Sequence, residues 1–287
     1  MEIKSITKKY KDSIALNDCS FNFNRGEIIG LIGKNGAGKS TIMKVVTQNI
    51  QVYKGTIENN NNIGYLIEEP KLYNNKTGVE NLNYFSKIYG SKFEMRTYEK
   101  FFKKIGMYDV LRRKVKVYSL GMRQKLGIII SLINNPEFIV LDEPTNGMDI
   151  ETSYELLFEL KNLANAQNIG ILISSHNLED IEQICDRFIF IADGKVVSDQ
   201  LSESDNNNLI HLEFHTEKEK YLFEREQNLG EITFSENNSL RLLSTANTSE
   251  IFNLLNSLGI TLKDFSTERN SLRNIYMNKL GGAKDGV

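Results

Sequence analysis

Along the N-terminal stretch, apolar and β-branched positions stand between short turns. This predicts strands over Glu2–Tyr10, Ala15–Phe23 and Glu27–Ile32, the third entered through an Asn24-Arg25-Gly26 turn. A helix is expected from Lys39. From about Leu72 to Leu132 the apolar positions fall at helical spacing, with Tyr84, Phe85, Phe101 and Phe102 in core-like places. Phe138–Leu141 and Ile169–Ser174 are apolar runs that read as buried strands, separated by a helix over Tyr154–Ala164. Arg187–Ala192 and Lys195–Ser198 flank Asp193-Gly194, a pair suited to the type I′ turn of a hairpin. Buried strands alternating with helices imply an α/β core around a largely parallel sheet.

The pattern breaks at Ser202–Asn208, which is polar and turn-rich. A boundary here divides the chain into residues 1–204, with a helical segment at about 72–132, and a small α+β domain at 205–287. Strands are expected in the second part over Leu209–Phe214, Glu231–Phe234, Leu240–Leu243 and Ile260–Phe265. A helix should start near Asn247, with Glu250 as capping partner and Ile251, Leu254, Leu255 and Leu258 forming its apolar stripe. The tail Gly281–Val287 is expected to be disordered, and no internal repeat is visible.

Composition narrows the function. Hydrophobic residues make up 40% and charged residues 25%, ordinary for a globular chain with a sizeable core. Thirty-five basic against 37 acidic residues leave a net charge of −2, so no bulk field favours nucleic acid or an anionic membrane. Cys19 and Cys185 are far apart and read as thiols in a reducing compartment rather than a disulfide. The opening residues lack the apolar core of a secretory signal, and the longest mostly apolar run, Gly127 to Ile133, is too short to span a bilayer. Any work at a membrane is therefore expected to go through a partner.

The chemistry begins at Gly33-Lys34-Asn35-Gly36-Ala37-Gly38-Lys39-Ser40, which fits G-x-x-x-x-G-K-[ST] between an apolar strand and a helix. In such a loop successive backbone N–H groups, running on to Thr41, converge on phosphate oxygens, and the helix N-terminus adds its dipole. Lys39 would reach the β- and γ-phosphates and the Ser40 hydroxyl would ligate Mg²⁺. Phe138-Ile-Val-Leu-Asp142-Glu143 is an apolar strand ending in two acids. Asp142 suits the Mg²⁺ shell, and Glu143 suits activation of the attacking water.

Tyr118-Ser119-Leu120-Gly121-Met122-Arg123-Gln124 opens a helix ahead of that strand and resembles the signature motif of ABC ATPases. In that family Ser119, Gly121 and Met122 would hold the γ-phosphate of ATP bound on the opposite subunit; alone, Ser119 would be an ordinary N-cap. Asn146-Gly147-Met148-Asp149 is similar to the family's D-loop, which crosses the dimer interface. Ser174-Ser175-His176 is similar to its switch-histidine segment, with His176 at the γ-phosphate. Tyr10 matches the aromatic that stacks on adenine. The resemblance covers roughly residues 1–204. It implies a P-loop NTPase core of ABC type: a mixed sheet with an antiparallel N-terminal β part, a helical subdomain, and here a small C-terminal α+β domain.

Three departures from the family pattern carry information. Glu68 stands where the family usually has Gln, Leu120 replaces a signature glycine, and Met122 replaces a frequent Gln. These changes resemble the bacitracin-resistance and lantibiotic-immunity exporters, as does the segment ending Asn270-Ser-Leu-Arg-Asn-Ile-Tyr276. The resemblance implies an ATP- and Mg²⁺-dependent ATPase, working as a homodimer or beside a paralogous subunit under an integral membrane permease. It further implies location at the cytoplasmic face of the membrane, touching the membrane through the permease alone and binding no nucleic acid. Glu68 would contact Mg²⁺ and link the site to a permease-gripping groove in the helical segment. Competing readings are an ABC protein of the translation or DNA-repair kind, a P-loop small-molecule kinase, and a C-terminal regulatory module driven by the ATPase. The first would show tandem domains or long coiled coils. The second would need a lid of clustered arginines, for which Arg112-Arg113 alone is thin support. Nothing in the C-terminal residues names a ligand for the third.

Overall fold

Residues 1–11, 13–58, 62–91, 94–175, 177–201, 208–269 and Leu272 are described by the computed structural model. The chain divides into two compact units, Met1–Ser202 and Glu203–Val287.

In the first unit β1 (Glu2–Tyr10) pairs antiparallel with β2 (Ser13–Asn22), burying Ile3, Ile6, Leu16 and Cys19 on one face. After them come β3 (Ile28–Ile32), α1 (Lys39–Val46), β4 (Lys54–Glu58) and β5 (Ile63–Leu66). β4 joins the free edge of β1, so the N-terminal strands form a separate antiparallel sheet ordered β2-β1-β4, and β3 enters the main sheet. Neither β4 nor β5 is evident in the sequence. Lys-Gly-Thr-Ile-Glu has almost no apolar pattern, and β5 pairs with one strand alone.

The helical segment resolves into α2 (Gly78–Ile88), α3 (Glu99–Lys104) and α4 (Leu120–Ser131), with short 3₁₀ turns between. Then follow β6 (Phe138–Asp142), α5 (Ile150–Gln167), β7 (Gly170–Ser174), α6 (Leu178–Glu182), β8 (Arg187–Ala192) and β9 (Lys195–Leu201). The main sheet runs β5-β6-β7-β3-β8-β9, parallel throughout except for the β8–β9 hairpin. Asp193 (φ 47°) and Gly194 (φ 72°) turn that hairpin with two left-handed residues, as type I′ requires. β3, β6 and β7 are buried at every position. Phe23 and Phe138, with ring centroids 4.7 Å apart, belong to the core beside Val140 and Leu172. Helix α5 starts four residues earlier than its apolar stripe implies, because Asp149 caps it.

Arg187 at the start of β8 is largely buried yet fully partnered. It donates to Asp199 (2.5 Å), Glu27 (3.0 Å) and Asn22 (2.7 Å), which ties β8, β9 and the end of β2 together. Burying a guanidinium is tolerable only with such pairing.

The second unit contains β10 (Asn208–Phe214), α7 (Glu217–Glu226), β11 (Gly230–Glu236), β12 (Ser239–Ser244), α8 (Thr248–Ser257) and β13 (Leu262–Arg269). Its sheet is antiparallel in the order β11-β12-β10-β13, and Ile210, Leu212, Phe214, Phe223, Leu242, Ile251 and Leu255 form its core. Asn247 and Glu250 make a reciprocal capping box at α8. Helix α7 escapes the apolar pattern, because seven of the ten residues in Glu-Lys-Glu-Lys-Tyr-Leu-Phe-Glu-Arg-Glu are charged and its apolar residues fall in one run. Its Thr216–Glu219 capping box is the signal that marks it. The strand expected from Ile260 begins at Leu262, because Ile260 follows the left-handed Gly259 and packs into the core. Asp12, His176, most of Ser202–Asn208, most of Asn270–Tyr276 and the tail Gly281–Val287 lie outside the described residues.

Candidate active site

Parallel pairing brings the chemistry to one edge of the main sheet. In register, Leu31 lies opposite Ser174, and Asp142 lies opposite Ser174 on the other side. The loop after β3 therefore opens beside the acids that end β6, at the carboxyl end of the strands where open α/β sheets bind ligands.

That loop is shaped by its glycines. Gly36 (φ 81°) and Gly38 (φ 110°) adopt backbone conformations that L side chains rarely tolerate. Gly38 gives α1 no side-chain cap, and the first turn of α1 holds no acid, so the positive end of the helix is left for an anion. Ala37 N–H bonds the Lys34 carbonyl (3.1 Å), and Lys39 Nζ donates to the carbonyls of Gly33 (2.7 Å) and Lys34 (3.3 Å). A cavity of about 280 Å³ results, lined by Ala15, Asn35, Gly36, Gly38, Lys39, Ser40, Thr41, Asp142 and Glu143.

Ser174 organises the acidic wall. Its buried hydroxyl donates to Asp142 Oδ1 (2.6 Å) and accepts from the Glu143 N–H (3.1 Å). The same N–H also reaches the Ser174 carbonyl (3.2 Å), and Glu143 takes a left-handed φ of 49°. Asp142 is thus aimed by one oxygen and keeps the other. The Ser40 hydroxyl and the Asp142 carboxylate are hard oxygen donors in one cavity. This set fits Mg²⁺, which takes one or two protein oxygens and completes its shell with phosphates and water.

Asp142 and Glu143 also wall a second cavity of about 370 Å³ with Glu68, Glu69, Leu120, Gln124, Asn146 and Gly147. Glu68 and Glu69 in turn line a groove of about 480 Å³ that includes Tyr65, Phe85 and Tyr89. Phosphate cavity, second cavity and groove therefore share walls in sequence. Glu68 is exposed, and its carboxyl is held below the usual range mainly by the hydrogen bond from Lys44.

Ser119 and Gly121 of the signature segment stand outside both cavities. Ser119 is the exposed N-cap of α4, accepting from the Met122 N–H (3.2 Å), and neither it nor Gly121 lines the phosphate cavity. Gly121 abuts Met148, and Leu120 lies over Gly147, so the D-loop and signature segments support each other. Asp149 caps α5 through both oxygens, each 2.9 Å from Thr152 donors, and these bonds depress its carboxyl. Tyr10, at the end of β1, is half exposed, and Lys8 Nζ lies 4.7 Å from its ring centroid. His176 is outside the described residues. Sequence reasoning misses the lining residues Gln124 and Ala15 and the part played by Ser174. Ser174 is visible in the sequence as the end of a buried strand, but its pairing with Asp142 is a matter of register.

Residues 16–146 match the ABC transporter family. The lantibiotic transport ATP-binding protein SrtF of Streptococcus pyogenes is 36% identical over 226 residues, 73% of this chain and 97% of that protein. The bacitracin transport ATP-binding protein BcrA of Enterococcus faecalis is 35% identical over 227 residues, 75% of this chain and 73% of that protein. Among solved structures, the ATP-binding subunit of an ABC transporter superposes with a TM-score of 0.63 at 28% identity, covering 71% of this chain and 91% of that one. A dimeric ATP-binding cassette in a post-hydrolysis state with ADP and Pi shares the fold, with a TM-score of 0.61 at 22% identity over 71% of this chain and 99% of that one.

Proposed function

The chain belongs to the ATP-binding subunits of the ABC transporter family and is an ATPase, and on that premise we propose that two copies close head-to-tail over two ATP molecules to drive a separate membrane permease. One observation carries this reading. The phosphate cavity is lined by the P-loop and the β6 acids but by no signature residue, while Ser119 waits exposed at a helix N-terminus. A second copy supplies what each site lacks.

In this reading Gly33, Lys34, Asn35, Gly36, Ala37, Gly38 and Thr41 present the loop's backbone to the phosphates, and Lys39 leaves its resting carbonyls for the β- and γ-phosphates. Ser40, Asp142 and Glu68 hold Mg²⁺. When bound there, Mg²⁺ would supply positive charge against the phosphate oxygens. Glu143 accepts the proton of the attacking water, and His176 contacts the γ-phosphate. Ser119, Gly121 and Met122 of the second copy complete the phosphate shell, with Asp149 at the dimer seam, and Tyr10 stacks on adenine. The groove beside Glu68 grips a permease segment, so opening and closing of the dimer becomes alternating access. The subunit then sits at the cytoplasmic membrane face through its permease. The lantibiotic and bacitracin relatives support export of a peptide antibiotic, or self-protection against one, as the task.

Glu143→Gln tests the core of this. The variant should bind ATP, hydrolyse it very slowly and elute as a dimer in ATP during size-exclusion chromatography. A monomer with near-normal turnover would sink both the residue's role and the sandwich.

A further inference from the structure

Lys44 belongs to no motif, yet it stands one helical turn beyond Ser40 on α1. Side chains spaced i, i+4 leave the same face of a helix with β-carbons about 6 Å apart. Lys44 thus leaves α1 on the same side as Ser40, the hydroxyl assigned to the metal. Its Nζ lies 2.5 Å from Glu68 Oε1. Glu68 reaches this position with a left-handed backbone, φ 65°, which a glutamate adopts only against steric resistance. The residue is also shared between the second cavity, beside Asp142 and Glu143, and the groove, where Lys44 faces it. Strain, a tight partner and a place on two walls coincide at one side chain.

We propose that Lys44 is the resting partner of Glu68, and that Glu68 exchanges Lys44 for the nucleotide-bound Mg²⁺ when the site fills. The inference rests on the reading of Glu68 as a metal ligand and adds the competitor that sets its availability. Two cations compete for one carboxylate. While Lys44 holds it, Mg²⁺ must displace an ion pair, which weakens apparent metal affinity by the strength of that pair. An exposed pair of this kind shifts an equilibrium by roughly 1.5- to 5-fold. The exchange also alters the groove. Its charged lining is Lys44 and Lys71 against Glu68 and Glu69, balanced in this state. Withdrawal of Glu68 leaves a net positive floor, so nucleotide binding changes what a docked permease segment meets.

Removing Lys44 also takes a positive charge from α1, an effect on nucleotide binding that does not depend on Glu68. A double-mutant cycle separates the two. The readout is the Mg²⁺ concentration that half-saturates binding of a fluorescent, non-hydrolysable ATP analogue to the intact chain, with circular dichroism confirming the fold. Lys44→Met, Glu68→Gln and the double variant are compared with the unaltered protein. The Mg²⁺ requirement should fall on Lys44→Met about 1.5- to 5-fold further in the unaltered background than in the Glu68→Gln background. Lys44→Arg, which keeps the charge, should retain the original requirement. An equal effect of Lys44→Met in both backgrounds would overturn the exchange, since Lys44 would then act on the phosphates directly. If Glu68→Gln alone left the Mg²⁺ requirement unchanged, the metal-ligand reading itself would fail, which is a different result from failure of the exchange.

Discussion

Ser174→Ala removes one buried oxygen, and the structure says which of its contacts matters. The hydroxyl donates to Asp142 Oδ1 at 2.6 Å in a site where Ser174 has no exposed surface and Asp142 is 8% exposed. A hydrogen bond to a charged group contributes about 1.5–3 kcal/mol. The second contact, from the Glu143 N–H, is worth less, because that donor keeps the Ser174 carbonyl after the substitution. The small opening beside Asp142 lets water replace part of the lost bond, so the lower half of the range applies, about 2 kcal/mol. For a unit of this size that lowers the melting midpoint by roughly 4–8 °C. The functional effect is larger in kind. Asp142 loses the anchor that aims its second oxygen, and loss of a partner that orients a metal ligand typically costs about 10- to 100-fold in metal affinity or activity. Thermal unfolding, together with ATPase activity titrated against Mg²⁺, measures both. A variant that melts lower but keeps its Mg²⁺ dependence would show that Ser174 supports the fold without aiming Asp142. Unchanged values in both would remove it from the site altogether.

Three further outcomes are expected. A chain ended at Ser202 should stay soluble and bind ATP, because the P-loop, the β6 acids and the signature all lie in the first unit; aggregation or loss of ATP binding would show that the two units cannot be separated. Gly64→Ala should destabilise the first unit by about 3 kcal/mol, since a β-carbon there would overlap the Ser131 carbonyl, which is backbone and cannot swing away; a midpoint in urea unchanged from the parent would contradict this packing. His211 should titrate below the ordinary histidine value, because partial burial and then Arg241, whose Nε donates to His211 Nδ1 at 3.2 Å, both disfavour its charge. The unfolded chain then binds more protons than the folded one, so stability should fall as pH drops through the ordinary histidine value, and less so in His211→Gln. A raised pKa for His211 by NMR would reverse that sign.

The phosphate loop, the acid pair, the Asp-Gly hairpin and the Asn247 cap are all legible in the sequence, and each is a local demand. Gly38 is needed because φ is 110° there, Asp193-Gly194 because both residues are left-handed, and Asn247-Glu250 because a helix start exposes N–H groups that must be met. Such requirements act over a few residues and leave their mark in residue type. What the tertiary structure decided is which distant segments share a wall. Sheet register set Ser174 beside Asp142, β4 found its place on the edge of β1, and Lys44 met Glu68 across a gap that no motif spans. The separation of Ser119 from the phosphate cavity is of the same kind. A serine, a lysine or a charged five-residue strand reads the same at many positions along a chain. Its role follows from the partner that folding places within hydrogen-bond reach, and that partner is chosen by packing of the whole unit.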